Sequence, residues 1–330
     1  MSMRARLRWL VAAGALLLGI AIGSASLPYA GFHGEVFVEF PRGSSSGVIA
    51  RRLAEAGVIR YAWQFMLVRV LRPTARLQAG EYRFHQPASV FEVFRRLVRG
   101  DVFYYELTVP EGYNMFDIAA AVEKLTLMPA GQFLKAAKDT SLIADMAPAA
   151  ETLEGYLFPA TYHVSKHSSA GQICRQMTDQ FRKVWKELNP PPGVSVHAVV
   201  TLASLVEKET AIPEERPLVA SVYWNRLRLG MKLDCDPTVA YAAILDGQYA
   251  GSIQRLDLQR NHRYNTYRVA GLPPGPIANP GRASLEAALH PADTSYLYFV
   301  AKPDGSGRHT FSRDIAAHGR AVAKYRRGRR

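Results

Sequence analysis

Glu207 follows a stretch in which Val196, Val199, Val200, Ala203 and Val206 recur at i, i+3 and i+4, the spacing of a helix that buries an apolar stripe. It stands four residues after Ala203 and seven after Val200, so its carboxyl emerges at the edge of that stripe. At such an edge, withdrawal from water works against a bare carboxylate. A carboxylic acid that keeps its proton there can protonate a leaving oxygen. The plain alternative is that Glu207, Lys208 and Glu209 form an ordinary charged helix end.

The surrounding elements give that carboxyl a setting. Ser195 is placed to cap the helix, since a serine hydroxyl accepts from free N–H groups at a helix start. Pro213 and Pro217 delimit the start of a second helix, Leu218 to Leu229, which Gly230 ends. Asp236, Pro237 and Thr238 read as an N-cap and first-turn proline opening a third helix that stops near Asp246 and Gly247. Tyr264, Asn265, Thr266 and Tyr267 then lead into a loop dense in Pro and Gly, from Gly271 to Pro280. Aromatic faces and amide edges beside a rigid loop suit a sugar-binding wall, and a merely structural turn has the same composition.

Nearer the N-terminus a short strand runs three times into a polar turn and an amphipathic helix: Val36 to Phe40 before Gly47 to Ala56, Glu81 to Phe84 before Ser89 to Val98, and Tyr104 to Val109 before Met115 to Leu125. The unit from about Glu35 to Phe103 resembles a LysM-like domain, a class associated with N-acetylglucosamine-containing glycans; a spacer is the alternative. Asn189 to Gly193, with three consecutive prolines, marks an inner boundary near 190.

The first residues set the compartment. Arg4, Arg6 and Arg8 precede an uncharged stretch from Trp9 to Ala30. Roughly 20 apolar residues span a bilayer core, and flanking arginines hold their side in the cytoplasm. A single-pass inner-membrane anchor is expected, with everything after Gly31 outside the cytoplasm. A cleaved signal peptide is the rival, because the strongest apolar run, Leu10 to Ala21, is short and small residues follow it. Either way the chain is exported, which excludes nucleic acid as partner for a net charge of +13 and leaves acidic headgroups or an anionic wall polymer. The one dense basic run, Lys324, Arg326, Arg327, Arg329 and Arg330, reads as a solvated tail. The spacing of Cys174 and Cys235 fits no zinc or redox motif, and neither metal nor cofactor is expected.

The longer motifs resemble the endolytic murein transglycosylase family: LEGYLFPATY from Leu153, LASLVEKET from Leu202, SVYWNRLRLG from Ser221, DPTV from Asp236, YNTYRVAGLPPGPIANPG from Tyr264, and Tyr298 to Lys302 with His309 and Phe311. The resemblance runs in order through the exported chain and the anchor. It implies a lytic transglycosylase that cuts the β-1,4 bond between N-acetylmuramic acid and N-acetylglucosamine within a strand and leaves a 1,6-anhydro end. It places the catalytic glutamate at Glu207 and offers Asn225, Asp236, Thr238, Tyr264, Asn265 and Tyr267 as cleft-lining residues. Peptidoglycan strands, the inner membrane and cell-wall synthases are the partners implied. Ala242 stands where the family often has Gly, and Asp234 with Cys235 replaces more neutral pairs.

One carboxyl suffices for this chemistry, because the sugar's own O6 hydroxyl can attack, whereas ordinary glycoside hydrolysis uses two. A muramidase-type hydrolase would need Asp234, Asp236 or Glu209 as the second. A non-catalytic glycan-binding or scaffold protein is the reading from another class. The fold expected is α+β: cytoplasmic residues 1–8, a transmembrane helix over 9–30, a LysM-like module over 31–105, and a mainly helical catalytic domain with β-segments over 106–330.

Overall fold

A computed structural model describes residues 3–328, with the side chains of 4–8 and 11 outside the description. Arg329 and Arg330 of the basic run are not among the described residues. The chain is α+β and divides into two compact units, 1–105 and 106–330.

The first unit opens with helix α1, Met3–Ser26. Among the described residues no helix is long and apolar enough to cross a membrane; the expected span over 9–30 includes Val11, whose side chain is outside the description. The last turn of α1 is tied down, with Ala25 fully buried. There follow β1 (Val36–Phe40), α2 (Ser46–Glu55), α3 (Ala62–Leu71), β2 (Gly80–Phe84) and α4 (Val90–Arg99). β1 and β2 pair antiparallel, with Val38 opposite Tyr82. The helices close over one face, burying Phe40, Leu53, Phe65, Tyr82, Phe84, Phe94 and Leu97. Ser89 and Glu92 form a reciprocal capping box at the start of α4, and Gly100 ends it in the left-handed conformation at φ 70°. Gln64, buried on α3, donates to the Ser24 carbonyl and hydroxyl.

The second unit contains β3 (Tyr105–Thr108), α5 (Met115–Lys124), α6 (Ala130–Ala136), β4 (Thr161–Val164), α7 (Ala170–Glu187), α8 (Val196–Glu209), α9 (Arg216–Arg228), α10 (Asp236–Leu245), α11 (Arg282–Leu289), β5 (Tyr298–Ala301), β6 (His309–Ser312) and α12 (Ile315–Gly328). The third strand–turn–helix copy forms, as β3 and α5, but β3 pairs with β4 rather than joining β1 and β2. β5 and β6 make an antiparallel hairpin.

α8 is the spine of this unit. A single core-facing stripe was expected, yet every residue from Val199 to Val206 is buried, because α9, α10 and α11 all pack on it. Its polar residues survive burial by bonding back within the helix: Thr201 donates to the His197 carbonyl and Ser204 to the Thr201 carbonyl. Ser195 caps it as expected. Two boundaries differ from expectation. α9 begins at Arg216, so Pro217 lies in its first turn, where proline needs no N–H partner. Cys235, not Asp236, takes the N-cap position of α10. The two cysteines are separate buried thiols, and burial pushes that of Cys174 up to about 12. Much of the basic run expected as a tail lies in α12.

Candidate active site

Glu207 sits in the last turn of α8 with 6% of its side chain exposed. Oε2 accepts the backbone N–H of Gly281 at 2.9 Å. Gly281 is the N-cap of α11, so the carboxyl meets the positive end of that helix dipole. Oε1 lies 3.5 Å from Nη2 of Arg216, the first residue of α9. The same nitrogen is 4.0 Å from Oε2 of Glu111. Arg216 is therefore shared between two carboxyls, and its buried Nε has no hydrogen-bond partner.

Glu111 stands on the turn Pro110, Glu111, Gly112, where Gly112 supplies φ 77°. Half of its side chain is exposed. Burial first, then the charge of Glu207, hold its carboxyl above the usual range, while Arg216 pulls the other way. The carboxyl lies across Gly281: a Cβ there would come within 1.8 Å of Glu111 Oε1. Gly281 thus leaves room for one carboxyl and donates to the other. Lys208 Nζ donates to the Gly112 carbonyl at 3.2 Å. A cleft of about 580 Å³ opens alongside, with Glu111, Gly112, Tyr113, Asp117, Lys124 and Lys208 in its wall.

A second glutamate fixes these loops. Glu154, 1% exposed, accepts from the Met115 N–H at 2.9 Å, the Tyr241 hydroxyl at 2.9 Å and Asn279 Nδ2 at 2.9 Å. Desolvation outweighs these donors and pushes its carboxyl up to about 7. Asn279 is the knot beside it. Its carbonyl accepts from Gly112 N–H, its own N–H donates to the Tyr113 carbonyl, and its Oδ1 accepts from Leu157 N–H. The Pro-rich loop is pinned to α8 by His197 Nε2 against the Pro274 carbonyl and by the Ile277 N–H donating to Ser204 Oγ. Gly155, at φ 86°, has Pro276 where a Cβ would stand, 2.4 Å from Cγ.

The other residues taken from the motifs fall elsewhere. Asp236 and Tyr267 join by a 2.6 Å hydrogen bond from the tyrosine hydroxyl. Thr238 is fully buried, donates to the Cys235 carbonyl and meets the Thr266 hydroxyl. Asn265, also fully buried, gives Nδ2 to the carbonyls of Asp257, Leu258 and Arg260. These bonds dock the DPTV and YNTY segments onto each other. Tyr264 stacks obliquely near Tyr241 at 5.2 Å, which links this region to Glu154. Asn225 is buried and donates to the carbonyls of Thr294 and Tyr296. Thr238, Asn265 and Asn225 are spent on backbone partners; Asp236 and Tyr267 keep exposure.

Glu111, Arg216 and Gly281 were not singled out in the sequence. Glu111 had a signal, since a carboxylate between Pro110 and Gly112 is a charge on a rigid turn. Glu209 turns away from Glu207 to accept from the Tyr223 hydroxyl at 3.0 Å, and burial raises its carboxyl.

Residues 38–324 match the model of the YceG-like family. An endolytic murein transglycosylase of Bacillus subtilis is 35% identical, over 88% of this chain and 84% of its own length. One of Streptococcus pneumoniae is 28% identical, over 88% of this chain and 58% of its own length, so the chain spans little more than half of that relative. The crystal structure of a yceG-like protein from Listeria monocytogenes, 32% identical, superposes with a TM-score of 0.55 and covers 88% of this chain and 99% of that one. With the match extending from the first strand through α12, this chain belongs to the YceG-like family.

Proposed function

We propose that this chain is an endolytic murein transglycosylase with Glu207 as its acid/base. The observation that carries the reading is the hold on that carboxyl: Oε2 is engaged by the Gly281 N–H while Oε1 meets only the guanidinium edge. Oε1 is then the oxygen left to deliver and take back the proton. Glu207 gives it to the bridging oxygen as the C1–O4 bond breaks. The muramic acid O6 closes on C1, and its proton returns to Glu207, so acid and base are one group and no water is consumed. Intramolecular attack gains from proximity, and the Gly281 N–H and Arg216 stabilise the carboxylate formed midway. Mass spectrometry of fragments released from purified peptidoglycan by the full chain tests this. Anhydro-ended products that vanish in Glu207→Gln support it; intact strands with wild type, or water-added ends, overturn it.

The hydrolase reading needs a second carboxyl in place. Glu209 is committed to Tyr223, and Asp236 to Tyr267. The carboxyl that does stand beside Glu207 is Glu111, so product mass rather than residue inventory separates the two reactions.

The same proposal places the enzyme at the outer face of the inner membrane, on nascent strands. α1 supports an anchor: from Trp9 to Ser26 it has no charged residue, and Trp9, Leu10, Leu16, Leu17 and Ile20 are exposed. α3 adds exposed Met66 and Val70 in the same unit. A LysM-like, glycan-holding role for the first unit is supported by Tyr61 and Trp63, exposed and stacked at 6.4 Å with 15° between planes, a platform of the kind sugar rings use. The charge of +13 suits a polymer bearing peptide carboxylates. Recovery of the full chain in the soluble fraction after cell breakage would sink the anchor.

A further inference from the structure

We infer that Glu111 is a positioning residue for the acid step, which holds Arg216 off Glu207 by sharing its guanidinium. The inference rests on the reading of Glu207 as the acid.

Among the described residues, three groups face Glu207. Arg216 approaches from the start of α9, Glu111 from the turn after β3, and the Gly281 N–H from the start of α11. Lys208, its neighbour on α8, is turned to the Gly112 carbonyl. Arg216 makes neither contact at hydrogen-bond length: 3.5 Å to Glu207 and 4.0 Å to Glu111. With Nε unpartnered as well, the guanidinium is suspended between two carboxyls. Its side chain is 11% exposed, so water does little to screen it.

That suspension matters because the reaction starts from the protonated acid. An arginine closed on Glu207 in a bidentate pair would favour the carboxylate and remove the proton the leaving oxygen needs. Glu111 opposes this in two ways. Its oxygen draws Nη2 aside, and its charge repels a second negative charge nearby. The steric record at Gly281 says the placement is built in, since any side chain there would displace Glu111. The Asn279 bonds to Gly112 and Tyr113 fix the turn from the other side.

The sign of the effect follows. Activity that needs a protonated acid falls as pH rises through the acid's titration. Replacing Glu111 by glutamine removes the repelling charge and releases Arg216 to Glu207, so the alkaline limb moves to lower pH, by about one unit. The test is a pH profile of kcat/KM for release of anhydro-ended fragments by the full chain, for wild type, Glu111→Gln and Glu111→Asp. A limb displaced downward in Glu111→Gln relative to its own acid plateau, and a limb largely restored in Glu111→Asp, are expected. An unmoved limb, or equal loss at every pH, overturns the inference and leaves Glu111 as a cleft or structural residue. Should Glu111→Gln fold poorly, Glu111→Ala is read in the same profile, and an unmoved limb there likewise overturns the inference. Glu207→Gln run in parallel separates the failures. If it retains activity, the assignment of the acid fails. If it is inert while the Glu111→Gln limb stays put, only the present inference does.

Discussion

Glu154 and Glu207 are the same residue in the same unit, joined through Asn279 and Gly281, yet they are put to opposite use. Glu154 is sealed and saturated: a backbone N–H, a tyrosine hydroxyl and an asparagine amide all donate to it. Glu207 meets one N–H and a guanidinium held at arm's length. The first has no unused capacity and serves as a fastener, whereas the second, on the proposed reading, keeps one oxygen for a reagent. Burial alone therefore does not mark a reactive carboxyl. What sets Glu207 apart from Glu154 is incomplete satisfaction.

The largest expected effect tests the reagent side. Glu207→Gln should cost about three orders of magnitude in fragment release, about 4 kcal/mol of barrier, with an unchanged melting temperature. A comparable loss of stability would make Glu207 a fastener too. Glu154→Gln should do the reverse, destabilising the fold by about 3 kcal/mol in urea titrations, since an amide NH₂ would then face donors. It should also flatten the pH dependence of stability. Because burial raises Glu154 to about 7, its stabilising contribution is complete below its ordinary titration range and is lost as pH rises through about 7. Wild type should thus lose stability between pH 5 and 7 relative to Glu154→Gln.

Gly281→Ala sharpens the contrast at the point where the two regions join. Its φ of −75° suits alanine, and the atom in the way is the end of a half-exposed side chain. Stability should change by less than about 1 kcal/mol while turnover falls about tenfold. The smallest effect is expected at Tyr267→Phe. It removes one hydroxyl bond to exposed Asp236 and should shift stability by about 0.5–1 kcal/mol, with fragment release within about threefold of wild type by the same assay. A tenfold loss would bring Asp236 and Tyr267 into the substrate path.

Much of the helical framework was legible because caps and periodicity are local. Ser195, Ser89 and Gly230 act where their residue types say they should. The all-round burial of α8 was not legible, since the apolar spacing reported one stripe and Thr201 and Ser204 are satisfied only by turning their hydroxyls back to the helix carbonyls. Motif resemblance pointed at whole segments and could not say which side chains face the substrate. Asn265 and Thr238 lie within those segments and are used up by carbonyls and by each other's neighbours. Glu111 and Arg216 escaped because their roles exist only through Gly281, 170 residues beyond Glu111, and no local pattern reports such a meeting.

That distance has a consequence for the life of the chain before it is folded. Gly281 supplies both the donor for Glu207 and the seat for Glu111, so a polypeptide emerging N-terminus first holds its glutamates without the partner that arms them. If Glu207 is the acid proposed above, a chain that has not yet reached Asn279 and Gly281 lacks the donor at that carboxyl. Long-range closure of this kind is slow relative to helix formation, so on that reading the site is completed after the helices that carry it.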